Sequence, residues 1–506
     1  MISQSRKLSF PSAYTVLMLV IIFCAIATWI LPAGRYDMLR YDAATRSFVA
    51  KRANVEETLP AEQATLDRLG IRIQLASFES GSIRKPVSIP GTYHTVPANR
   101  QGFLDVLKAP ILGTTEAIDV VLFVLVIGGF IGVFKNTGAF EAGINRLVTL
   151  LRGREGWLIV IVTIVISLGG TAIGMAEETI AFYPLLVPVF LAAGYDRLVP
   201  VAVIFTGTCV GTMASTTNPF ATIIASNAAG VAWTSGLTSR AILWVIATAV
   251  CIVYTLRYAR KAKAHPANSL APANKAEVAP TALIQADGGN IARDGLLTGR
   301  TRLLLALFLL TFAVMIFGVT KLDWWFVEMA TLFFAAALLV GVIYRPGEKA
   351  FVRHFIAGAE ELLGVGLIIG LARGATIMLD RGQISDTILQ HASASVQGIP
   401  GVAFIIALLF VYIGLSFFIQ SSSGMAVLTM PIMSGLADVA GVPREQIINA
   451  YCWGLGLMGF VAPTGLVLPS LAMAGVSYNT WLRFVWPLVA ILTAITIAFL
   501  ALGVLA

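Results

Sequence analysis

Charged residues are scarce in this chain, at 12% of 506 positions, against roughly a quarter in an ordinary soluble domain. That scarcity excludes a plain soluble enzyme. Cysteine is sparser still: Cys24, Cys209, Cys251 and Cys452 lie singly in apolar segments, with no CxxC pair and no histidine at metal-ligand spacing. These thiols read as small core residues. There is no HExxH, no Walker A loop, and no histidine beside the serine clusters, since His354 and His391 fall at segment ends. An enzyme working inside the bilayer and an ATP-driven pump therefore both lack their chemistry. What the chain has is apolar length: 57% of residues are hydrophobic, and a mean hydropathy of +0.84 holds over the whole chain. This is the signature of a polytopic membrane protein. The formal charge of +8 comes from basic residues in short loops between apolar runs, where they report topology rather than nucleic-acid binding.

Tyr14 to Leu31 is an uncharged run behind Arg6 and Lys7, longer than a signal-peptide core of about 7 to 15 residues, so residues 1–33 read as a first membrane helix with a cytoplasmic N-terminus. Residues 34–115 are polar and proline-punctuated, an extracytoplasmic insertion with strand-like stretches such as Ile71 to Ala76. Residues 116–257 hold a crossing from about Ile118 to Phe134, a broken apolar pair around Gly169-Gly170-Thr171, a stretch broken at Ser215-Thr216-Thr217-Asn218-Pro219, and a crossing ending at Arg257, Arg260, Lys261 and Lys263. Loop charges place both Arg154 and Arg257 inside, so an even number of crossings separates them, and the glycine-broken pair reads as a re-entrant hairpin. Residues 258–302 form a polar cytoplasmic linker, 303–357 two scaffold helices, and 358–506 a second set. That set has a broken pair around Gln420 to Gly424 and a broken stretch at Ala462-Pro463-Thr464-Gly465. The count is about nine crossings and two hairpins, with the C-terminus outside.

The two sets repeat. Ile173-Gly174-Met175-Ala176 followed by Pro184 matches Ser423-Gly424-Met425-Ala426 followed by Pro431, and Gly132 and Gly138 fall opposite Gly374 and Gly382, at offsets of about 242 to 250. Loop charges run Ile118 to Phe134 inward and Leu362 to Leu379 outward, so the repeats are inverted. Inverted repeats with Gly/Pro-broken helices at matching places point to a transport site near the midplane, because unpaired backbone groups survive there only beside protein or a water-filled cavity.

The candidate site residues follow from those breaks. Glu177 and Glu178, with Gly174 and Thr179, sit at membrane depth, where a carboxylate costs roughly 2.5 to 3.5 kcal/mol and faces a cavity, a partner or a cation. A proton or Na⁺ coupling role, a contact to a substrate amine, or a capping role in the first turn of a helix starting near Met175 all suit them. Ser215, Thr216, Thr217 and Asn218 before Pro219 offer hard oxygens suited to Na⁺, and the next half-helix N-terminus suits a carboxylate. Ser421, Ser422, Ser423 and Gly424, then Pro463, Thr464 and Gly465, offer the same from the second repeat. Arg373, inside a crossing, pairs with a membrane acid or binds a substrate carboxylate. No organic cofactor and no metal beyond Na⁺ is expected.

These residues also carry a resemblance. Phe10 to Tyr14, Ile30 to Gly34, Gly174-Met175-Ala176-Glu177-Glu178-Thr179, Ser215 to Phe220, Ile369 to Gly374, Ser421 to Ala426, Thr429 to Met433 and Ala462 to Gly465 resemble the YfcC-like branch of the DcuC and arginine/ornithine-antiporter family. That family lies within the wider ion-transporter superfamily. The resemblance implies an inner-membrane secondary carrier, dimeric, with a scaffold and a moving domain that holds both hairpin tips and works as an elevator. Its substrates would be small organic acids, amino acids or short peptides, with basic amino acids and C4-dicarboxylates as the named alternatives. Gln420 stands where members often carry Pro, and Cys452 and Leu455 near where a polar residue is common, so a less polar second half-site is expected. A passive channel and an intramembrane enzyme remain the readings from other classes.

Overall fold

The computed structural model describes residues 12–505 apart from 53–54, 72, 80–82, 84–85, 152–153, 266–267, 273–297 and 323. The Phe10-Pro11 pair, Arg152 and most of the linker lie outside the described residues. Helix α1 (Ala13–Ile30) leads into a small domain of strands β1 (Gly34–Arg35), β2 (Met38–Asp42), β3 (Ser47–Arg52), β4 (Val55–Pro60), β5 (Val87–Ser88) and β6 (His94–Thr95), with short helices α2 (Gln63–Arg68) and α3 (Leu75–Glu79). Four strands pair antiparallel in the order β4-β3-β2-β5, and β1 pairs with β6. Alternation along β2 and β3 buries Leu39, Phe48 and Ala50, one face of a pleated sheet covering its own core. Phe48 is fully buried and meets Tyr41 and Phe78 edge-on. Phe48→Ala is expected to cost this domain about 3 to 5 kcal/mol, measured as faster limited proteolysis within residues 34–102 while the membrane helices stay resistant.

Two details depart from the sequence reading. Among the described residues of Ile71 to Ala76 there is no strand: Ile71 and Ile73 are fully buried, Leu75 and Ala76 open α3, and the Gln63 amide takes the place of a ladder partner, donating to the Ile73 carbonyl at 3.2 Å and accepting from Leu75 N at 2.9 Å. The last part of the stretch read as insertion is helix α4 (Phe103–Glu116), which runs almost directly into α5 (Ile118–Lys135) and packs with it along one long partner.

The remaining elements come in two matching series. The first is α4–α5, α6 (Ala139–Leu151), α7 (Gly156–Ile173), a 3₁₀ turn (Glu177–Phe182) with α8 (Tyr183–Ala192), α9 (Leu198–Ala214), a π-turn (Pro219–Ile223) with α10 (Ile224–Ala229), and α11 (Leu237–Ala264). After α12 (Gly299–Lys321) and α13 (Phe326–Tyr344) comes the second: α14 (Glu348–Gly382), α15 (Ser385–Val396), α16 (Gly401–Phe418), α17 (Ser422–Ala440), α18 (Arg444–Gly459), α19 (Val467–Ala474) and α20 (Tyr478–Leu505). Each series thus holds a long helix, a short one, a hairpin, a broken helix and a final long helix. Among the described residues, 11 helices are long and apolar enough to cross a membrane. The protein is a multi-pass, predominantly helical membrane protein.

Glycines show how the two series are related. A Cβ on Gly113 would lie 2.1 Å from the Gly370 carbonyl oxygen and 2.5 Å from Gly374 N, and one on Gly358 would lie 2.2 Å from the Gly128 carbonyl oxygen and 2.8 Å from Gly132 Cα. Helices α4–α5 and α14 therefore touch backbone to backbone and run antiparallel, in the close approach that small residues allow between membrane helices. Gly113 meets the pair Gly370 and Gly374, while its counterpart Gly358 meets Gly128 and Gly132. Exchanging the series maps one contact onto the other, which requires a twofold axis across the helices, so the repeats are inverted.

Candidate functional site

Each repeat brings the tip of its hairpin against the break of its broken helix. In the first, α7 ends at Gly174, which is left-handed at φ +72° and closes the helix by donating to the Gly170 carbonyl, a turn that glycine takes at little steric cost. The second arm starts with the 3₁₀ turn rather than an α-helix near Met175, and Pro184 stands in the first turn of α8, where its missing N–H is tolerated. Glu178, 6% exposed, accepts from Ala176 N at 2.9 Å, and Thr179 Oγ1 donates to the Ala176 carbonyl at 2.6 Å. Glu178 is thus a tie within the tip, whereas the neighbouring Glu177 is exposed.

Helix α9 stops at Ser215, a non-glycine residue held left-handed at φ +40°, a conformation uncommon outside glycine. The Asn218 carboxamide supports it. Its Nδ2 donates to Ser215 Oγ at 3.2 Å, and its Oδ1 accepts from Phe220 N at 2.9 Å and Ala221 N at 3.2 Å, capping the helix that Pro219 opens. The break is tied to the hairpin through Thr171. Thr216 N donates to Thr171 Oγ1 at 3.0 Å, Thr217 N to the Thr171 carbonyl at 3.2 Å, and Thr217 Oγ1 to the Ala172 carbonyl at 2.8 Å.

The second junction uses different groups. Ser421 caps α17 by accepting from Gly424 N at 3.1 Å, Tyr451 OH donates to the Ser422 carbonyl at 2.7 Å, and Thr464 Oγ1 donates to the Phe417 carbonyl at 3.1 Å. Gln420 Nε2 donates to Thr464 Oγ1 at 3.0 Å and also to the Ser416 carbonyl. Pro463 and Thr464 are buried. Broken helices α9 and α18 cross where a Cβ on Gly456 would lie 2.3 Å from Met213 Cβ, and Thr222 Oγ1 stands 3.6 Å from Cys452 Sγ. At that crossing the first broken helix lies against α18 beside Cys452.

Arg373 sits apart. Its guanidinium donates through Nε and Nη2 to Glu116 Oε1, the first at 2.9 Å, so it spans α4 and α14 of the long-helix pair. Sequence reading did not single out Thr171, Tyr451 or Glu116. Thr171 lies in the Gly-Gly-Thr break that marked the hairpin; nothing local flags the other two, whose partners are distant in sequence. Among the described residues no group of three His, Cys, Asp or Glu could hold a metal ion.

The model of the DcuC family, described as C4-dicarboxylate anaerobic carriers, matches residues 10–505. The chain belongs to the DcuC family. Relatives include a protein of Haemophilus influenzae that carries no functional name, 43% identical over 97% of this chain and 96% of its own. Another is YfcC of Escherichia coli, named as a proposed basic amino acid antiporter, 28% identical over 95% of this chain and 93% of its own. Among solved structures, the YdaH transporter of Alcanivorax borkumensis is 14% identical over 97% of this chain and 98% of its own, with a TM-score of 0.40. MtrF of Neisseria gonorrhoeae, titled an antimetabolite efflux pump, is 14% identical over 99% and 96%, with a TM-score of 0.37. As a DcuC-family member this protein is a membrane transporter.

Proposed function

We propose that this DcuC-family protein is a secondary active carrier of a small organic acid, amino acid or short peptide across the bacterial inner membrane, with its N-terminus cytoplasmic and its C-terminus outside. Transport is coupled to Na⁺ or H⁺, or proceeds by exchange, and the working unit is a dimer. The observation that carries the reading is the pair of tip-to-break junctions, placed at repeat-related positions on broken helices α9 and α18, which cross. Hydroxyls and half-helix N-termini stand at the two junctions, and Glu177 follows Gly174 at the first tip, a set suited to a zwitterionic or carboxylate ligand with a small cation. The hairpins and broken helices form the moving part of an elevator, and the α4–α5 and α14 pair belongs to its scaffold. The family description favours a C4-dicarboxylate. The relation to YfcC and the exposed Glu177 favour a basic amino acid as the second reading.

The test is thermal stabilisation of the purified protein across amino acids, mono- and dicarboxylates and short peptides, each in Na⁺ or K⁺ at two pH values. One ligand class should raise Tm by about 2 to 4 °C near saturation, consistent with a stabilisation of about 1 kcal/mol or somewhat more, and more in Na⁺ than in K⁺ if the coupling ion is Na⁺. An equal shift in both salts would assign proton coupling or exchange. No shift with any class would remove the substrate reading.

A further inference from the structure

The two junctions are tied unequally, and the cause is visible in the sequence. In the first, two backbone N–H groups cross from break to hairpin, from Thr216 and Thr217, and the hydroxyls of both threonines cross as well, to the carbonyls of Thr171 at 3.1 Å and Ala172 at 2.8 Å. In the second, the offset of 245 that places Ala229-Gly230-Val231 on Ala474-Gly475-Val476 sets Val461 and Ala462 opposite Thr216 and Thr217; neither has a hydroxyl, and both donate their N–H to the Met458 carbonyl within their own segment, at 2.9 and 2.8 Å. There the Thr464 hydroxyl joins the break to the hairpin, donating to the Phe417 carbonyl and accepting from Gln420 Nε2.

The carboxamides are exchanged as well. At the first junction the amide belongs to the break: Asn218 lies against Gly174 of the tip, where a Cβ would stand 2.4 Å from Asn218 Oδ1, and it bonds only within its own segment. At the second the amide belongs to the tip: Gln420 lies against Gly465 of the break, where a Cβ would stand 2.9 Å from Gln420 Oε1. The orientation of the Gln420 amide is fixed because the Ser416 carbonyl can only accept. The Gln420 amide therefore crosses from the hairpin to the broken helix, beside Val461 and Ala462, whose N–H groups turn back to the Met458 carbonyl.

We propose that the second hairpin is the wall of the site that opens, and that Gln420 is its latch, a positioning residue that holds the tip on the second broken helix through Thr464. Tyr451, bonded to the Ser422 carbonyl, is the neighbouring hold on the second arm. The first hairpin stays fixed to its broken helix by the Thr171 ties. This inference rests on reading the two junctions as the walls of one binding site, and it identifies which wall moves.

Amide hydrogen exchange on the purified full-length protein without added substrate tests it, comparing peptides that cover residues 417–424 and 171–178. The second tip should exchange faster than the first in the wild type. Gln420→Ala should speed exchange of the second tip about fivefold, the factor one neutral hydrogen bond supplies, and leave the first unchanged. Thr464→Val should act alike, and the double variant should add little to the larger single effect, because both remove one shared tie. Unchanged exchange at the second tip, additive effects, or equal acceleration of both tips in Gln420→Ala and in the isosteric Gln420→Glu would each overturn the latch. Neither substrate nor transport enters this measurement, so a failed search for a ligand bears on the proposed function alone.

Discussion

Asn218→Ala should lower substrate uptake into proteoliposomes by about 100-fold, using the ligand class found by thermal stabilisation, while Asn218→Asp retains a larger share. Asn218 is 3% exposed, and its Oδ1 is the acceptor for both Phe220 N and Ala221 N. Truncation leaves two N–H groups unpaired at the start of a half-helix, each costing about 1 to 3 kcal/mol when buried, and removes the Nδ2 bond that supports left-handed Ser215. About 3 kcal/mol lost from the organisation of the site corresponds to about two orders of magnitude in affinity. Aspartate keeps the acceptor and loses the donor, so the helix cap survives and the bond to Ser215 does not. Wild-type uptake by Asn218→Ala would move the site away from the first break.

The largest effect on folding is expected at Gly358. A side chain there meets the Gly128 carbonyl oxygen with its Cβ at 2.2 Å and Gly132 Cα at 2.8 Å, and backbone cannot step aside as the end of a flexible side chain can. Overpacking commonly costs about 1 to 3 kcal/mol. Forcing apart a backbone-to-backbone contact should exceed that range for Gly358→Leu, seen as loss of a monodisperse species and a Tm lowered by about 4 °C or more, on the order of 4 kcal/mol. Gly414, within α16, has nothing within 4 Å of its Cβ position, so Gly414→Ala should be neutral or slightly stabilising through helix propensity. Equal behaviour of the two positions would mean that the glycine contact does not hold the long helices together.

Most of the architecture was legible because the bilayer imposes its requirements segment by segment. Length and apolarity mark a spanning helix without reference to any neighbour, and a glycine or proline break stands out against that background. The hairpins, both broken helices and the clusters at Ser215 to Pro219 and Ala462 to Gly465 were found in this way. The polar domain was less legible because side-chain bonds substitute for regular structure there, as Gln63 does for a strand at Ile71 to Ala76. The boundary at Phe103 was missed for a related reason. Helix α4 carries Asp105, Lys108 and Glu116 and has Pro110 inside it, so its composition resembles the insertion, and only its packing along α14 marks it as part of the long-helix pair. For Arg373 the sequence offered a substrate carboxylate or a membrane acid as partner; contact with Glu116, 257 positions away, places it in an ion pair.

The sequence by itself determined that the chain crosses a membrane many times, that its two halves repeat, and where its helices break, since each of these follows from a local pattern of hydropathy, glycine and proline. The tertiary structure alone decided what those breaks touch. Hydroxyls and amides 45 and 44 residues apart, Thr171 with Thr216 and Gln420 with Thr464, find partners only when hairpin and broken helix pack together. Whether a buried acid caps its own tip, as Glu178 does, or stands exposed, as Glu177 does, depends on the direction the backbone takes after a left-handed glycine. Polar groups at membrane depth must be paired, but the partner is chosen by the fold, and no local pattern in the chain encodes it.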